Sequence, residues 1–598
     1  MARSSESTNY ILYCHSFYLG LSLVLGERLI QYSQSSDDKL NAEILRFGRH
    51  IAGSNRMTAA FMFGVDDACL SKSKTPVEVL FIIYGFQSKL MNYVKTLEGK
   101  NVVFVATDEW VFERDVDRGF LGEALAWGLI FPYLPLVNKE YLNSQEVKLK
   151  ERLVLELMEN LVMDFPELSY ELRMKPEYFM YETMLSRARI FPPMIRRVRG
   201  LMRKDAQESS MIHVFDGYLK ALKKLQDKGV CTFSNGYVQM SEKFIESARA
   251  PKVRLVNMSK AVPRALFSSV LGVWPMLLNV LSQDWESVFK LQRDERNPEG
   301  IGQIKIPEGY LYVPTALGLV PLGNRLNIET YARELLCAGE DARIEVEEMG
   351  GILNDVFLVR VSVKGEEKKV VVKRFRDWSS FKWFPLTLWS VGTRSFAVLG
   401  IQRLERECAI NQFLNSRGFA VPKLLRVSAD DRLVFMEYVE GEDASKVVKR
   451  VAKLKTVAQA KKELKIIERI GKKFAKVHAL SIALGDTKPE NIIIGKHCEI
   501  ILMDFEQASR NGDRVWDVAE FLYYAGHDMP PLVETRAAEL VAEAFIAGYL
   551  EAGGKAETVR KAGNPKYTKV FSVFTLPHVI LAVSNICRKA GETRSKHG

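Results

Sequence analysis

Apolar positions in the front of the chain follow two rhythms. Residues 77–84 (VEVLFIIY) and 101–106 (NVVFVA) carry apolar residues on both faces, as buried strands do. Leu90–Leu97, between them, is expected to be helical, completing a strand–helix–strand unit of an α/β domain. Helical spacing is expected again from Gly119, and residues 146–163 (EVKLKERLVLELMENLVM) carry an amphipathic stripe. Residues 212–229 read as a helix. Residues 230–240 read as a short hairpin closing on Ser234-Asn235-Gly236, and a further helix follows. Residues 290–335 hold Gly and Pro at short intervals and predict a loop-rich connection.

From residue 342 the pattern is rich in strands. Residues 342–348, 355–363 and 368–375 form three runs, with Gly350-Gly351 between the first two and a turn at Gly365. A helix over residues 404–414 ends at Arg417-Gly418. A buried strand over 433–438 (LVFMEY) follows, then a long helix over 461–480 and two apolar strands ahead of Asp504. The last part, residues 566–598, reads as a helix followed by a basic tail.

Length and composition narrow the class. The 598 residues suffice for two to four domains, and 47% hydrophobic with 26% charged residues suits a globular protein. A net charge of +11 favours anionic partners, but it is spread over a long chain. Seven scattered cysteines include no C-x-x-C pair, which argues against zinc and for a reducing, cytoplasmic setting. The apolar run near the N-terminus has no basic flank and reads as a buried helix, not a signal peptide. No apolar run is long enough to span a membrane. Residues 265–281 come closest and read as core helices, with membrane-surface contact as the alternative.

The chemistry concentrates in residues 485–506, GDTKPENIIIGKHCEIILMDFE. Asp486, Lys488, Asn491 and Asp504 supply what ATP-dependent phosphoryl transfer needs. One carboxylate serves the acceptor hydroxyl, a lysine faces the transferred charge, and an amide with a second carboxylate can hold Mg²⁺. Upstream, Lys373 is a charge inside an apolar strand and needs an anionic partner. Glu407 is the expected carboxylate, preferred over Glu405 because it lies three and seven positions before Ile410 and Leu414. Gly350 and Gly351 could bring backbone N–H groups close to phosphate. His478 reads as structural.

In this setting the chain resembles atypical protein-kinase-like enzymes: the lipopolysaccharide-core, RIO-like and compact archaeal kinases. The resemblance covers roughly residues 340–550 and rests on E-C-A-I-x-x-F-L-x-x-x-G-F-x-V-P, Leu484-Gly485-Asp486 and Asp504-Phe505-Glu506. It implies a bilobal α+β fold, ATP and Mg²⁺ as cofactors, and Glu437, Tyr438 and Val439 as the hinge that bonds adenine. It also implies Asp486 and Lys488 as catalytic residues, Asn491 and Asp504 as metal ligands, and Asp517 as a brace of the catalytic loop. Only a dozen residues separate Asp504 from Asp517, so a peptide-docking activation segment is not expected. An aromatic insertion at residues 376–400, with Trp378, Trp383 and Trp389, reads as a small core or as a lipid or partner patch.

Two fainter resemblances concern the front half. Gly64, Ser71, Glu78 and Asp108 resemble the residues of minimal nucleotidyltransferases. Glu78 stands alone where that family has a pair of aspartates, which implies a degenerate relative. The helix–hairpin–helix at 212–250 resembles the tail of a winged-helix unit. With Lys223, Lys224 and Lys228, and a basic strip at 188–204, it could face nucleic acid. The expected organisation is an α/β domain over 1–205, a winged-helix-like middle with linker over 206–335, and a kinase-like domain over 336–560. A helix and tail occupy 561–598. The expected activity is transfer of the γ-phosphoryl group of ATP to a hydroxyl of a protein or small molecule. A nucleotide-binding pseudokinase, acting as a regulatory or binding module, is the alternative.

Overall fold

The computed structural model describes residues 34–63, 77–190, 208–249, 309–323, 328, 331, 343–349, 354–363, 366–376, 397, 399–454, 457–527, 535–572 and 575–591. Several expectations lie outside these residues. They are the first helix, Gly64, Ser71, the apolar run at 265–281, the Gly350-Gly351 pair, the three tryptophans of the insertion and the basic tail. The described chain is mixed α/β, with several sheets and many helices. No helix among the described residues is long and apolar enough to cross a membrane. The fold divides into two compact units. The first comprises Met1–Met163 with Arg173–Tyr310, and the second Asp164–Leu172 with Leu311–Gly598.

In the first unit, helix α1 (Gln34–Ala52) precedes strands β1 (Met57–Phe63), β2 (Val77–Ile83), β3 (Leu90–Leu97) and β4 (Lys100–Asp108). Helix α2 (Glu109–Arg118) and strand β5 (Tyr133–Val137) follow, and the sheet order is β3-β4-β2-β1-β5. These apolar runs do form the buried centre: β2 and β4 pair in parallel, and Val79, Phe81, Phe104 and Ala106 are solvent-free. Leu90–Leu97 is a strand, not a helix. Glu98 and Gly99 both take positive φ (47° and 73°), the geometry of a two-residue hairpin turn, and lock β3 antiparallel onto β4. The helical spacing expected from Gly119 is also corrected. Helix α2 starts on the Asp108 side chain and stops at Gly119, whose φ of 59° ends it. The turns beyond are pinned by Asp115, which accepts N–H bonds of Leu121, Glu123, Leu125 and Ala126 at 2.8–3.1 Å.

Helix α3 (Lys139–Asp164) contains the stripe expected at 146–163. It is followed by β6 (Arg173–Met174) and α4 (Glu177–Ile190). Helix α5 (Glu208–Asp227), strands β7 (Cys231–Ser234) and β8 (Tyr237–Met240), and helix α6 (Glu242–Ala248) give the helix–hairpin–helix order read from the sequence. Asn235 and Gly236, with φ 51° and 80°, make its turn.

The second unit contains three antiparallel strands, β11 (Arg343–Glu348), β12 (Asn354–Val363) and β13 (Glu366–Phe375), preceded by the hairpin β9 (Leu311–Thr315) and β10 (Gly318–Pro321). That hairpin occupies part of the stretch read as loop, because Gly318 at φ 99° reverses the chain and lets Leu319 face Pro314. Helix α7 (Gly400–Ser416) and strands β14 (Leu424–Ser428) and β15 (Leu433–Glu437) complete the sheet β11-β12-β13-β15-β14.

Beyond it lie helices α8 (Ala444–Lys453) and α9 (Val457–Ala479). The short strands β16 (Glu442–Asp443), β17 (Ile482–Ala483), β18 (Ile492–Ile494), β19 (Ile500–Leu502) and β20 (Ser509–Arg510) surround the motif residues. Helices α10 (Arg514–His527), α11 (Arg536–Glu551), α12 (Ala556–Ala562), α13 (Pro565–Phe571) and α14 (Pro577–Arg588) follow. The single helix expected past residue 566 is therefore two, the second beginning at Pro577, whose ring suits a first helical position. One apolar core, including Ile467, Ile470, Phe474, Phe521 and Phe545, supports the motif segment from below.

Candidate active site

The long strand β13 carries Lys373 inward because β12 and β15 flank it on both edges. Its neighbours Val370 and Val372 are buried, and the ammonium reaches a place water does not. A lone charge there would be expensive, and Lys373 is not alone. Its Nζ lies 2.6 Å from Asp504 Oδ1, 3.2 Å from Glu407 Oε2 and 3.2 Å from Glu506 Oε2. Burial works against the lysine's charge. The carboxylates of Asp504, Glu407 and Glu506 outweigh it and hold the pKa well above the ordinary lysine range.

Glu407 comes from α7, and its Oε2 also accepts the backbone N–H of Phe505 at 2.9 Å. One carboxylate thus ties the lysine strand, the helix and the Asp504 segment together. Burial, opposed by Lys373 but assisted by Asp504 and Glu506, pushes the Glu407 carboxyl up to about 7. Asp504 moves the other way. Its burial favours the neutral form, but Lys373 and then Lys488 hold its pKa below the usual value. Its backbone has φ 63°, a left-handed conformation that non-glycine residues seldom adopt and that recurs at functional sites.

A second pair of cationic and acidic groups extends this cluster. Arg403, one helical turn before Glu407 and fully buried, places Nη1 2.7 Å from Asn354 Oδ1 and 3.4 Å from Glu506 Oε1. Asn354 Nδ2 donates to Glu506 Oε2. Arg403 also donates to the Arg376 carbonyl. Glu506, which stands where a D-F-G motif has glycine, is therefore an ion-pair partner of both Lys373 and Arg403. The sequence reading missed this role, and missed Arg403 and Asn354 altogether. The available signal was an arginine four positions before Glu407 on an otherwise buried helix. Two cations, Lys373 and Arg403, face three carboxylates, Glu407, Asp504 and Glu506. The cluster has an acidic surplus.

The segment holding Asp486 is fixed by α10. Asp517, free of solvent contact, accepts N–H bonds of Leu484 at 2.6 Å and Gly485 at 2.8 Å, and its Oδ2 lies 3.0 Å from His478 Nε2. His478 Nδ1 lies 2.8 Å from the Tyr549 hydroxyl. This gives the histidine a bracing place in the core. Thr487 donates its N–H to Glu520 at 2.7 Å and its hydroxyl to the Asp517 carbonyl at 2.9 Å. Gly485 sits at φ 83°, where a side chain would be strained. Held at both ends, Asp486 lies with Oδ1 3.2 Å from Lys488 Nζ. Burial opposes the Lys488 charge, but Asp486 and then Glu520 raise its pKa well above the usual lysine value.

Strands β18 and β19 pair Ile492 with Leu502. Asn491 and Asp504 therefore leave the same end of one hairpin. Met503 donates its N–H to the Asn491 carbonyl at 3.0 Å. Asn491 Nδ2 donates to the Asp486 carbonyl at 3.1 Å, which fixes the amide and directs its oxygen away from that contact. An amide oxygen and a carboxylate are hard donors of the kind Mg²⁺ takes, so these two residues fit such an ion. Lys373, Glu407 and Asp504 are thus in direct contact, while Asp486, Lys488 and Asn491 form a neighbouring set one hairpin away. Glu437 ends β15 exposed, with its N–H on the Lys423 carbonyl at 2.9 Å, and Val439 follows, partly covered. Neither touches the ion cluster through any described bond.

In the first unit, Glu78 and Asp108 do not converge. Register places Glu78 beside Val103 and Asp108 beside Ile83. The two are five residues apart along parallel neighbours, about 17 Å. Asp108 instead caps α2 and lies 3.2 Å from Lys89.

No protein-family model matches the chain. Over 104 residues, 17% of its length, the chain is 25% identical to the KEOPS complex subunit Bud32 of Pyrococcus abyssi (strain GE5 / Orsay). It spans 44% of that relative's length.

Proposed function

We propose that the second unit is an atypical kinase-like domain that transfers the γ-phosphoryl group of ATP to a hydroxyl. The observation that carries this is the Lys373–Glu407–Asp504 contact beside the braced Asp486–Lys488–Asn491 segment. The partial similarity to Bud32, an atypical protein kinase, supports the same class.

In this reading, Lys373 holds the nucleotide's phosphates while Glu407 holds Lys373. Asn491 and Asp504 would hold Mg²⁺, which when bound neutralises charge on the phosphates. Asp486 accepts the proton of the acceptor hydroxyl as its oxygen attacks phosphorus and the bond to the ADP leaving oxygen breaks. Lys488 offsets charge on the transferred group and lies 3.2 Å from Asp486 Oδ1. The unit reads as bilobal, with adenine bonded at residues 437–439. The acceptor is a protein or a small molecule. The first unit reads as an α/β domain with a winged-helix-like module.

A second reading is nucleotide binding without transfer. Its support is Glu506, which adds a third carboxylate on Lys373 where a D-F-G motif has glycine. Incubating the full chain with γ-labelled ATP, Mg²⁺ and host extract separates the two. Transfer to a defined acceptor, lost in Asp486→Ala, supports the kinase. Saturable ATP binding with no labelled product across the extract supports the switch and overturns transfer.

A further inference from the structure

Residues 164–172 join α3 to β6, yet they pack with the second unit. Their partners are the elements that carry the candidate site. Glu405 is buried on α7, on the side of the helix turned from Lys373. Its Oε2 accepts the backbone N–H groups of Glu167 and Leu168, at 2.9 and 2.8 Å. These donors begin the 3-10 turn Leu168–Tyr170, so α7 caps that turn with a side-chain carboxyl oxygen.

Leu168 and Leu172 are solvent-free and pack in one cluster with Phe375, Leu404 and Cys408. Phe375 follows Lys373 by two positions, and Leu404 precedes Glu407 by three. Arg510 closes the other side. Its Nη1 donates to Glu167 Oε2 at 2.9 Å and to the Glu167 carbonyl at 3.1 Å, and its guanidinium lies 4.1 Å over the Tyr170 ring. Arg510 belongs to β20, six residues past Asp504, and β20 pairs with β17, which leads to Asp486.

We propose that residues 164–172 are a built-in positioning clamp for the site. Through Glu405 and Arg510 they hold α7 and the Asp504 segment in the one arrangement that sets Glu407 on Lys373. This rests on the kinase reading above for its consequence, but not for its geometry. Helix α7 is gripped on two sides, by Lys373 through Glu407 and by the clamp through Glu405. A helix in this place that shifts outward would separate Glu407 from Lys373, and the position of that helix is a usual control point of phosphoryl transfer. The clamp is the chain between α3 and β6, and it reaches Glu407 through the two hydrogen bonds to Glu405 on the same helix. Glu405 and Arg510 are thus positioning residues that touch neither nucleotide nor acceptor.

The test uses the full chain. Amide hydrogen exchange is followed in residues 400–416 and, as an internal reference, in 536–551, for wild type, Glu405→Ala, Glu405→Gln and Arg510→Ala. Both alanine variants should speed exchange in 400–416 by about tenfold or more, with 536–551 unchanged. They should lower kcat by about tenfold or more with ATP KM moved much less. Glu405→Gln, whose amide oxygen can accept the same two N–H groups, should stay near wild type in both. Unchanged exchange in 400–416, or exchange that rises equally in both segments, overturns the clamp. A wild-type chain that transfers no phosphate counts against the kinase reading alone, and the exchange comparison still decides the clamp.

Discussion

Two buried lysines, one in each unit, sit in opposite electrostatic settings. Lys150 in α3 has no exposure. Its Nζ lies 2.5 Å from Glu146 Oε1 and 2.8 Å from the Val214 carbonyl, and 4.8 Å over the Tyr218 ring. One acid meets one base. Burial outweighs Glu146 and lowers the lysine's pKa. Lys373 is nearly as buried but meets three carboxylates, and its pKa goes up. A matched pair holds a core in register and asks for nothing more. An acidic surplus around a lysine leaves carboxylates with charge to spare for another cation. That is the property a metal-nucleotide site requires.

The comparison can be broken at several levels. The largest effect belongs to Asp486→Ala, which should lower phosphoryl transfer about a hundredfold or more while ATP binding persists, measured by kcat and by ATP titration. Lys150→Met should leave kcat and ATP affinity unchanged. It strands Glu146, which keeps only its bond from Tyr133 at 2.8 Å, so unfolding should be easier by about 3 kcal/mol in denaturant. Lys373→Met should behave oppositely, losing transfer and ATP affinity. Its stability should recover toward acid pH, where the Glu407 carboxyl is neutral. Equal effects of the two lysine substitutions on turnover would remove the distinction drawn between them.

A smaller effect is the pH dependence of stability. Burial raises the Glu405 carboxyl to about 8 and the Glu407 carboxyl to about 7, from an ordinary 4.5. The folded state therefore holds these protons more tightly than the unfolded chain. The stabilisation is complete below about 4.5 and is lost as pH rises through 7 and then 8. Tm in magnesium-free buffer should fall between pH 6 and 9. Glu405→Gln, which cannot ionise, should flatten that fall while leaving Tm at pH 6 within a few degrees. A Tm that rises over the interval would contradict these protonation states.

Legibility in the sequence followed the range of the interactions. Strands β2, β4, β13 and β15 and helices α3, α7 and α9 were readable because burial repeats along them at fixed periods. Asp486, Lys488, Asn491 and Asp504 were legible as candidates because they fall within one short stretch flanking the hairpin of β18 and β19. Glu407 could be separated from Glu405 by helical spacing, and Lys373 stood out as a charge in an apolar strand. Leu90–Leu97 is a strand where a helix was expected, because the Glu98-Gly99 turn folds it back onto β4. The helix at Glu109–Arg118 was misplaced because Asp115, an acid in a polar stretch, gives no sign that it anchors four backbone groups. Arg403, Asn354 and Glu506 meet only in three dimensions. The contact of Glu405 with Glu167 and Leu168 joins positions more than 230 residues apart, and no local pattern encodes it.

The most direct test of the central claim is transfer of label from γ-labelled ATP by the full chain with Mg²⁺, comparing wild type with Asp504→Ala. Wild type should label a defined hydroxyl acceptor. Asp504→Ala, which removes a proposed metal ligand and the closest partner of Lys373, should label none above background. Equal labelling by both proteins would contradict the assignment of this ion cluster as a phosphoryl-transfer site.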